Sequence, residues 1–244
     1  MGQHGEHWPL VKMRHLACFM ILGAASAEAA PHCRQALALG LDVSGSVNAS
    51  EYRLQLDGLA SALESSEVSN ILIGPPDWPV RITVYEWSGP RAFNRRVVVN
   101  WLEIRNPEDL AQLTNQLRST KRRPADPSTA LGAAIEFGVG LLSQQQDCPK
   151  RTLDISGDGK SNTGPRPKDI VLPDWVTING LVVSGPEQGG TTSTAELTAY
   201  YMANVLHGPG AFLETAAGFA DYERAMKRKL LRELQGMSIS SLQK

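Results

Sequence analysis

The sequence predicts an α/β fold, a mostly parallel, doubly wound sheet of six strands with helices on both faces. Three observations carry this. Short apolar runs of strand length alternate with longer segments of helical spacing, the order expected of βαβ units. Two of those runs end in an aspartate followed by a Gly-containing turn, at Asp42 and Asp158. The Pro- and Gly-rich stretches at 74–79, 164–167 and 184–190 are short enough to be loops, and neither a repeat nor a long linker divides the chain.

Gln35–Leu41 (QALALGL) is a continuous apolar run ending in Asp42, as a strand buried on both faces would read. From Ser50 to about Ser65, Tyr52, Leu54, Leu56, Leu59, Ala60 and Leu63 recur at helical intervals. Val80–Trp87 and Arg96–Trp101 are the next strands. Asn106-Pro107-Glu108-Asp109 is a helix start, with Pro and acids in the first turn, leading into Leu110–Leu117. Ala130–Leu142 is a helix of apolar and small residues. Thr152–Ile155 and Val176–Val183 are buried strands, Glu196–Leu206 is helical, Ala211–Glu214 is a short strand, and Phe219–Leu234 is an amphipathic helix.

Composition narrows the function. The chain has 244 residues, with 24 Lys and Arg against 25 Asp and Glu, so it lacks the basic excess of a nucleic-acid binder. Aromatic residues, at 6%, are too few for a base-stacking surface. Five His and three Cys leave little for a transition-metal site. The first 27 residues read as a secretory signal peptide. Lys12, Arg14 and His15 precede the apolar run 16–25, and Ala25-Ser26-Ala27 is an A-x-A cleavage pattern. Met13 is a second candidate start, and the apolar run is too short for a transmembrane segment. The expected mature protein is periplasmic or secreted, with one domain over 33–235 and a tail over 236–244.

Export leaves two cysteines, Cys33 and Cys148. Cys33 lies nine residues before Asp42 and Cys148 ten before Asp158. If the strands ending in those aspartates are parallel neighbours, the cysteines fall at matching heights and can form a disulfide; the alternative is two unpaired thiols. A bridge closing so long a loop is worth on the order of 4–5 kcal/mol in the chain-entropy model.

Asp42-Val43-Ser44-Gly45-Ser46 follows the first strand. A carboxylate and two hydroxyls on one tight turn are hard oxygen donors, suited to Mg²⁺, Mn²⁺ or Ca²⁺. In open α/β sheets such sites form beyond the carboxyl ends of the strands, where Asp158 also falls. Ser128-Thr129 precedes the helix at Ala130, where a hydroxyl can cap the helix or meet the ion. Asp42-x-Ser44-x-Ser46, Thr129 and Asp158-Gly159 resemble, in order and spacing, the metal-ion-dependent adhesion site of von Willebrand factor A (VWA) domains. The resemblance extends over nearly the whole mature chain. Asp154-Ile-Ser-Gly-Asp-Gly and Gly208-Pro-Gly-Ala-Phe212 are similar to an exported bacterial VWA-like family of unknown function.

That resemblance implies a Rossmann-like sheet of order 3-2-1-4-5-6, which makes the strands before Asp42 and Asp158 neighbours and supports the Cys33–Cys148 pairing. It further implies one divalent cation, Mg²⁺ foremost. Ser44 and Ser46 would bind it directly, Thr129 directly or through water, and Asp42 and Asp158 directly or through coordinating waters and hydroxyls. The implied partner is a protein contributing an acidic residue. One departure is that Pro127-Ser128 stand before Thr129 where many relatives have glycine.

Plainer readings stand beside these: a capped turn at 42–46, an Asp-Gly turn at 158–159, a helix-capping Thr129, and solvated charge runs at Lys121-Arg122-Arg123 and Lys227-Arg228-Lys229. His207 reads as the end of a helix, and Glu187–Thr194 as a surface or recognition loop. Enzymatic signals are weak. There is no G-x-S-x-G elbow, no phosphate-cradling Gly-rich loop, and the two mature histidines lie far apart in sequence. The expectation is a binding module, not an enzyme. The alternatives are a Mg²⁺-dependent hydrolase using the same carboxylates and a metal-free scaffold for protein contacts.

Overall fold

The computed structural model describes residues 1, 2, 5, 33–185 and 193–235. The segment expected to be a signal peptide (apart from residues 1, 2 and 5), most of the 187–194 loop and the 236–244 tail lie outside the described residues. Twelve elements follow in order: β1 (Gln35–Asp42), α1 (Ala49–Glu64), α2 (Ser66–Leu72), β2 (Val80–Trp87), β3 (Arg95–Ile104), α3 (Pro107–Ser119), α4 (Leu131–Leu142), β4 (Arg151–Gly157), β5 (Val176–Val183), α5 (Thr194–Asn204), β6 (Leu213–Ala216) and α6 (Tyr222–Gln235).

The six strands form one sheet in the order β3-β2-β1-β4-β5-β6. β1 is parallel to β2 and β4, and β5 is parallel to β4 and β6. Only β3 is antiparallel to its neighbour β2, with Val80 opposite Ile104 and Trp87 opposite Arg95. The connection from Trp87 to Arg95 is too short for a crossover, so the chain must fold straight back.

Side-chain alternation along β1 separates two layers. Leu37, Leu39 and Leu41 pack with α1, α3 and α6, through residues such as Leu56, Leu113 and Leu230. Ala36 and Ala38 face α4 and α5, whose Ile135, Leu142, Leu197 and Tyr201 fill the other layer. α1 starts at a capping box: Asn48 Oδ1 accepts from Ser50 N and Glu51 N at 2.8 and 3.0 Å, and Glu51 Oε2 accepts from Asn48 N at 2.8 Å. α3 begins as its sequence predicts, with Asn106 Oδ1 accepting from Asp109 N at 2.9 Å.

Sequence and structure part at a few places. α2 is not expected from the sequence, because a seven-residue helix that buries only Val68 and Leu72 is too short to show a period. β6 begins two residues later than expected, and β3 runs on to Ile104. His207 does not end a helix: α5 stops at Asn204, and His207 pairs with Ile178 through Ile178 N to His207 O at 2.8 Å. The run Lys227-Arg228-Lys229 is not wholly solvated, for Lys229 is completely buried.

Cys33 and Cys148 are joined by a disulfide with Cα atoms 4.9 Å apart. Ala36 lies opposite Arg151 in the β1–β4 register, so the bridge clamps the amino ends of the two central strands. The two aspartates stand at the opposite, carboxyl ends.

Candidate metal centre

β1 ends at Asp42, and the chain turns at once through Val43–Val47 into α1. Asp42 Oδ1 accepts from Ser44 N at 2.8 Å, an Asx-type bond that closes the turn on itself. Gly45 is needed here for space and not for a left-handed backbone: its N donates to Pro127 O at 3.1 Å, and a Cβ would lie 3.0 Å from the Pro127 Cα. Pro127 therefore acts as a wall that presses the 126–129 loop against the serine turn.

That contact brings the hydroxyls together. Ser44 Oγ and Ser46 Oγ are 3.3 Å apart, and Thr129 Oγ1 donates to Ser44 Oγ at 3.3 Å. Ser46 Oγ donates to Asp158 Oδ1 at 2.7 Å. The five residues picked out in the sequence thus converge on one spot, drawn from three loops at the carboxyl edge of the sheet. Thr129 is not a helix cap: α4 begins at Leu131, with Ala130 at the capping position and no side-chain cap. The hydroxyl is free to face the serines because Asn162 secures the backbone instead. Thr129 N donates to Asn162 Oδ1, and Asn162 N to Thr129 O, each at 2.9 Å.

Electrostatically the site is strained in one direction. Asp42 is fully buried, and burial, then the nearby Asp158 charge, push its carboxyl up to about 8 against the opposing bonds from Ser44. Asp158 is also raised, by burial first, with Ser46 opposing and the Glu51 charge adding to it. Asp42 Oδ2 and Asp158 Oδ2 are both buried without a donor. Two buried carboxyls with raised proton affinity, one of them raised further by the other's charge, keep bare oxygens and call for a positive charge between them. Two carboxyl groups with three hydroxyls fit a hard divalent cation. Among the described residues no cluster of three or more His, Cys, Asp or Glu forms, so no transition-metal ligand set competes with this one.

Gly157, Tyr201 and Trp87, which sequence reasoning did not assign to the site, lie around the Asp42 carboxyl. Gly157, the last residue of β4, is approached from both sides: a Cβ there would lie 2.4 Å from Tyr201 Oη and 3.1 Å from Asp42 Oδ2. The Tyr201 hydroxyl and the Trp87 indole nitrogen are buried without partners in the same region. Tyr201 looked like an ordinary apolar position of a helix, and no local signal marks it. Asn162 is equally hidden in a polar loop.

Residues 32–238 match the model of a family described as a protein of unknown function (DUF1194). The chain belongs to that family. The family is VWA-like and of unknown function. A comparison with curated proteins gives no match. Among solved structures, proximal thread matrix protein 1 from the mussel byssus superposes with a TM-score of 0.57 at 15% identity, over 83% of this chain and 48% of that one. A von Willebrand factor type A protein from Catenulispora acidiphila gives 0.53 at 12% identity, over 83% and 43%. The vWF domain of the type V pili tip protein Mfa5 from Porphyromonas gingivalis gives 0.54 at 9% identity, over 84% and 97%. The chain spans less than half the length of the first two. Identities this low establish the fold alone, and the fold is that of a VWA domain.

Proposed function

We propose that this DUF1194 chain is an exported binding module that holds one divalent cation between Asp42, Ser44, Ser46, Thr129 and Asp158 and uses it to capture an acidic group of a protein partner. The observation that carries the reading is a pair of buried carboxyls, each with a donorless oxygen, gathered beside three hydroxyls in contact with one another. With only two carboxylates in the proposed ligand set, Mg²⁺ would remain electron-poor and keep a position open for an outside carboxylate. A relative of the same fold supports a cation at this place: one structure of the mussel byssus protein has a zinc-occupied MIDAS motif. The Cys33–Cys148 bridge supports an oxidising compartment, and among the described residues no helix is long and apolar enough to cross a membrane.

Binding is favoured over hydrolysis by what surrounds the carboxylates. His207 is engaged with β5, and both described cysteines are tied to each other at the far end of the sheet. Among the described residues no His or Cys joins Asp42 and Asp158 in a cluster. Calorimetry with Mg²⁺ and Mn²⁺ tests the proposal, with Zn²⁺ as a third arm. Wild type is expected to bind one cation and Asp42→Ala none. An absence of binding by wild type overturns the reading. A periplasmic pull-down should then retain a partner on wild type with Mg²⁺ and lose it on Asp42→Ala.

A further inference from the structure

A second charged cluster lies away from the metal centre, under α6, and none of its members takes part in the site above. Lys229 is 0% exposed, Asp154 1% and Glu233 2%. Lys229 Nζ touches Asp154 Oδ1 directly and lies 2.8 Å from Glu233 Oε1. Asn179 Nδ2 donates to Glu233 Oε1 at 2.7 Å, while Asn179 Oδ1 accepts from Phe212 N at 2.9 Å. The Phe212 ring covers the ammonium at 5.0 Å. Asp154 Oδ2 and Glu233 Oε2 have no donor at all.

As an ion cluster this is poorly balanced. Two fully buried carboxylates share one buried ammonium, while part-buried Lys150 donates from its Nζ to Glu233 O at 2.7 Å and feels the charge of both, and carboxylate charge in such a place is costly. A proton resolves it. Burial and the Glu233 charge raise Asp154 well above the carboxylate range, and the two carboxyls lie close enough to share that proton. Burial alone would lower Lys229, but the Asp154 and Glu233 charges outweigh it and keep the amine cationic until a base relieves it. The resulting set is a neutral carboxylic acid, an amine touching it, and a carboxylate beside that amine. Water is excluded and the backbone holds the groups in register.

We propose that Lys229 and Asp154 are joined by an intramolecular isopeptide bond, formed once after folding with Glu233 as proton acceptor. In the step, Glu233 takes one proton from the Lys229 ammonium. The free amine attacks the Asp154 carboxyl carbon, which is one bond from the oxygen that Nζ touches. A C–N bond forms and the C–OH bond breaks, the hydroxyl leaving as water with the amine's second proton. Atoms and charge balance: acid, ammonium and carboxylate become amide, water and a protonated Glu233. No oxidant or cofactor is needed. Contact in a dry pocket supplies the effective concentration that a free acid and amine lack in water. The product carries no buried charge, which removes the imbalance that the cluster otherwise bears. Such a bond would tie α6 to the middle of β4, as the disulfide ties β1 to Cys148.

Tryptic mapping of the purified, disulfide-intact exported protein tests this without any variant. The expected product is a branched peptide joining residues 152–160 to 229–232, lighter than its two parts by one water, with no cleavage after Lys229. Recovery of linear 152–160 at full mass, with cleavage after Lys229, overturns the proposal. So does a loss of water confined to Asp158-Gly159, which marks a cyclised Asp-Gly step in place of a cross-link. Glu233→Gln keeps the side-chain volume, and its peptides are expected to be linear in a protein that still melts cooperatively. A branch that persists in Glu233→Gln overturns Glu233 as the proton acceptor. None of these outcomes depends on cation binding.

Discussion

Asp154 and Asp158 stand four residues apart on the same strand and its turn, yet they belong to opposite kinds of environment. Asp158 lies at the open carboxyl end of β4, accepts from Ser46 Oγ and keeps a bare oxygen toward Asp42. Asp154 lies in the body of the strand beneath α6, against a buried lysine. Both are raised above the ordinary carboxylate range, and burial is the first cause in each. The difference is the source of the compensating positive charge. For Asp154 the chain supplies it from its own α6. For Asp158, no lysine or arginine ion pair forms among the described residues, and the proposed cation would come from solution.

That contrast can be broken most forcefully at Lys229. Lys229→Ala strands Asp154 and Glu233 without their partner and should cost about 3–5 kcal/mol of stability, measured by denaturant unfolding. A loss under 1 kcal/mol would mean that the cluster is not what holds α6. A smaller effect lies in the pH dependence of the other aspartate. Metal-free protein keeps on Asp42 a proton that the unfolded chain releases, since the folded value is raised to about 8. Its stability should therefore fall as pH climbs from about 4 to about 8. Mg²⁺ must displace that proton, so its affinity should rise about tenfold per pH unit below 8 and level off above. A flat calorimetric profile from pH 6 to 9 would contradict this. The smallest change is expected for Asp158→Asn in metal-free protein. Removing the Asp158 charge, which raises Asp42 and is itself disfavoured by burial, should leave stability equal or higher by about 1 kcal/mol or less. A clear destabilisation would show that Asp158 supports the fold as Asp154 does.

Legibility in the sequence followed locality. The Asp42–Ser46 turn could be read because its donors sit at alternate positions of one segment, and Asp158 because an Asp-Gly turn ends an apolar run. The Cys33–Cys148 pairing was legible through nearly equal offsets from those two aspartates, nine and ten residues. Lys229 was not. Flanked by Lys227 and Arg228, it carries the local signature of a solvated charge run, and only the 3.6-residue period of α6 turns it inward beside Leu230 and Leu234. Tyr201, Trp87 and Asn162 were hidden for the same reason, since each acts on a residue distant in the chain. Thr129 was open to two readings, and the Asn162 bonds decide between them by freeing its hydroxyl from capping.

By itself, then, the sequence determined the alternation of strands and helices, the sheet edge at which the aspartates gather, and the oxygen character of the donor set, because these depend on short-range pattern and on side-chain type. Only the tertiary structure decided that β3 turns back antiparallel, that Pro127 presses one loop on another, and that a lysine in a basic run meets two carboxylates in the core. Those outcomes depend on which surfaces face each other once the layers close, and no local period encodes that.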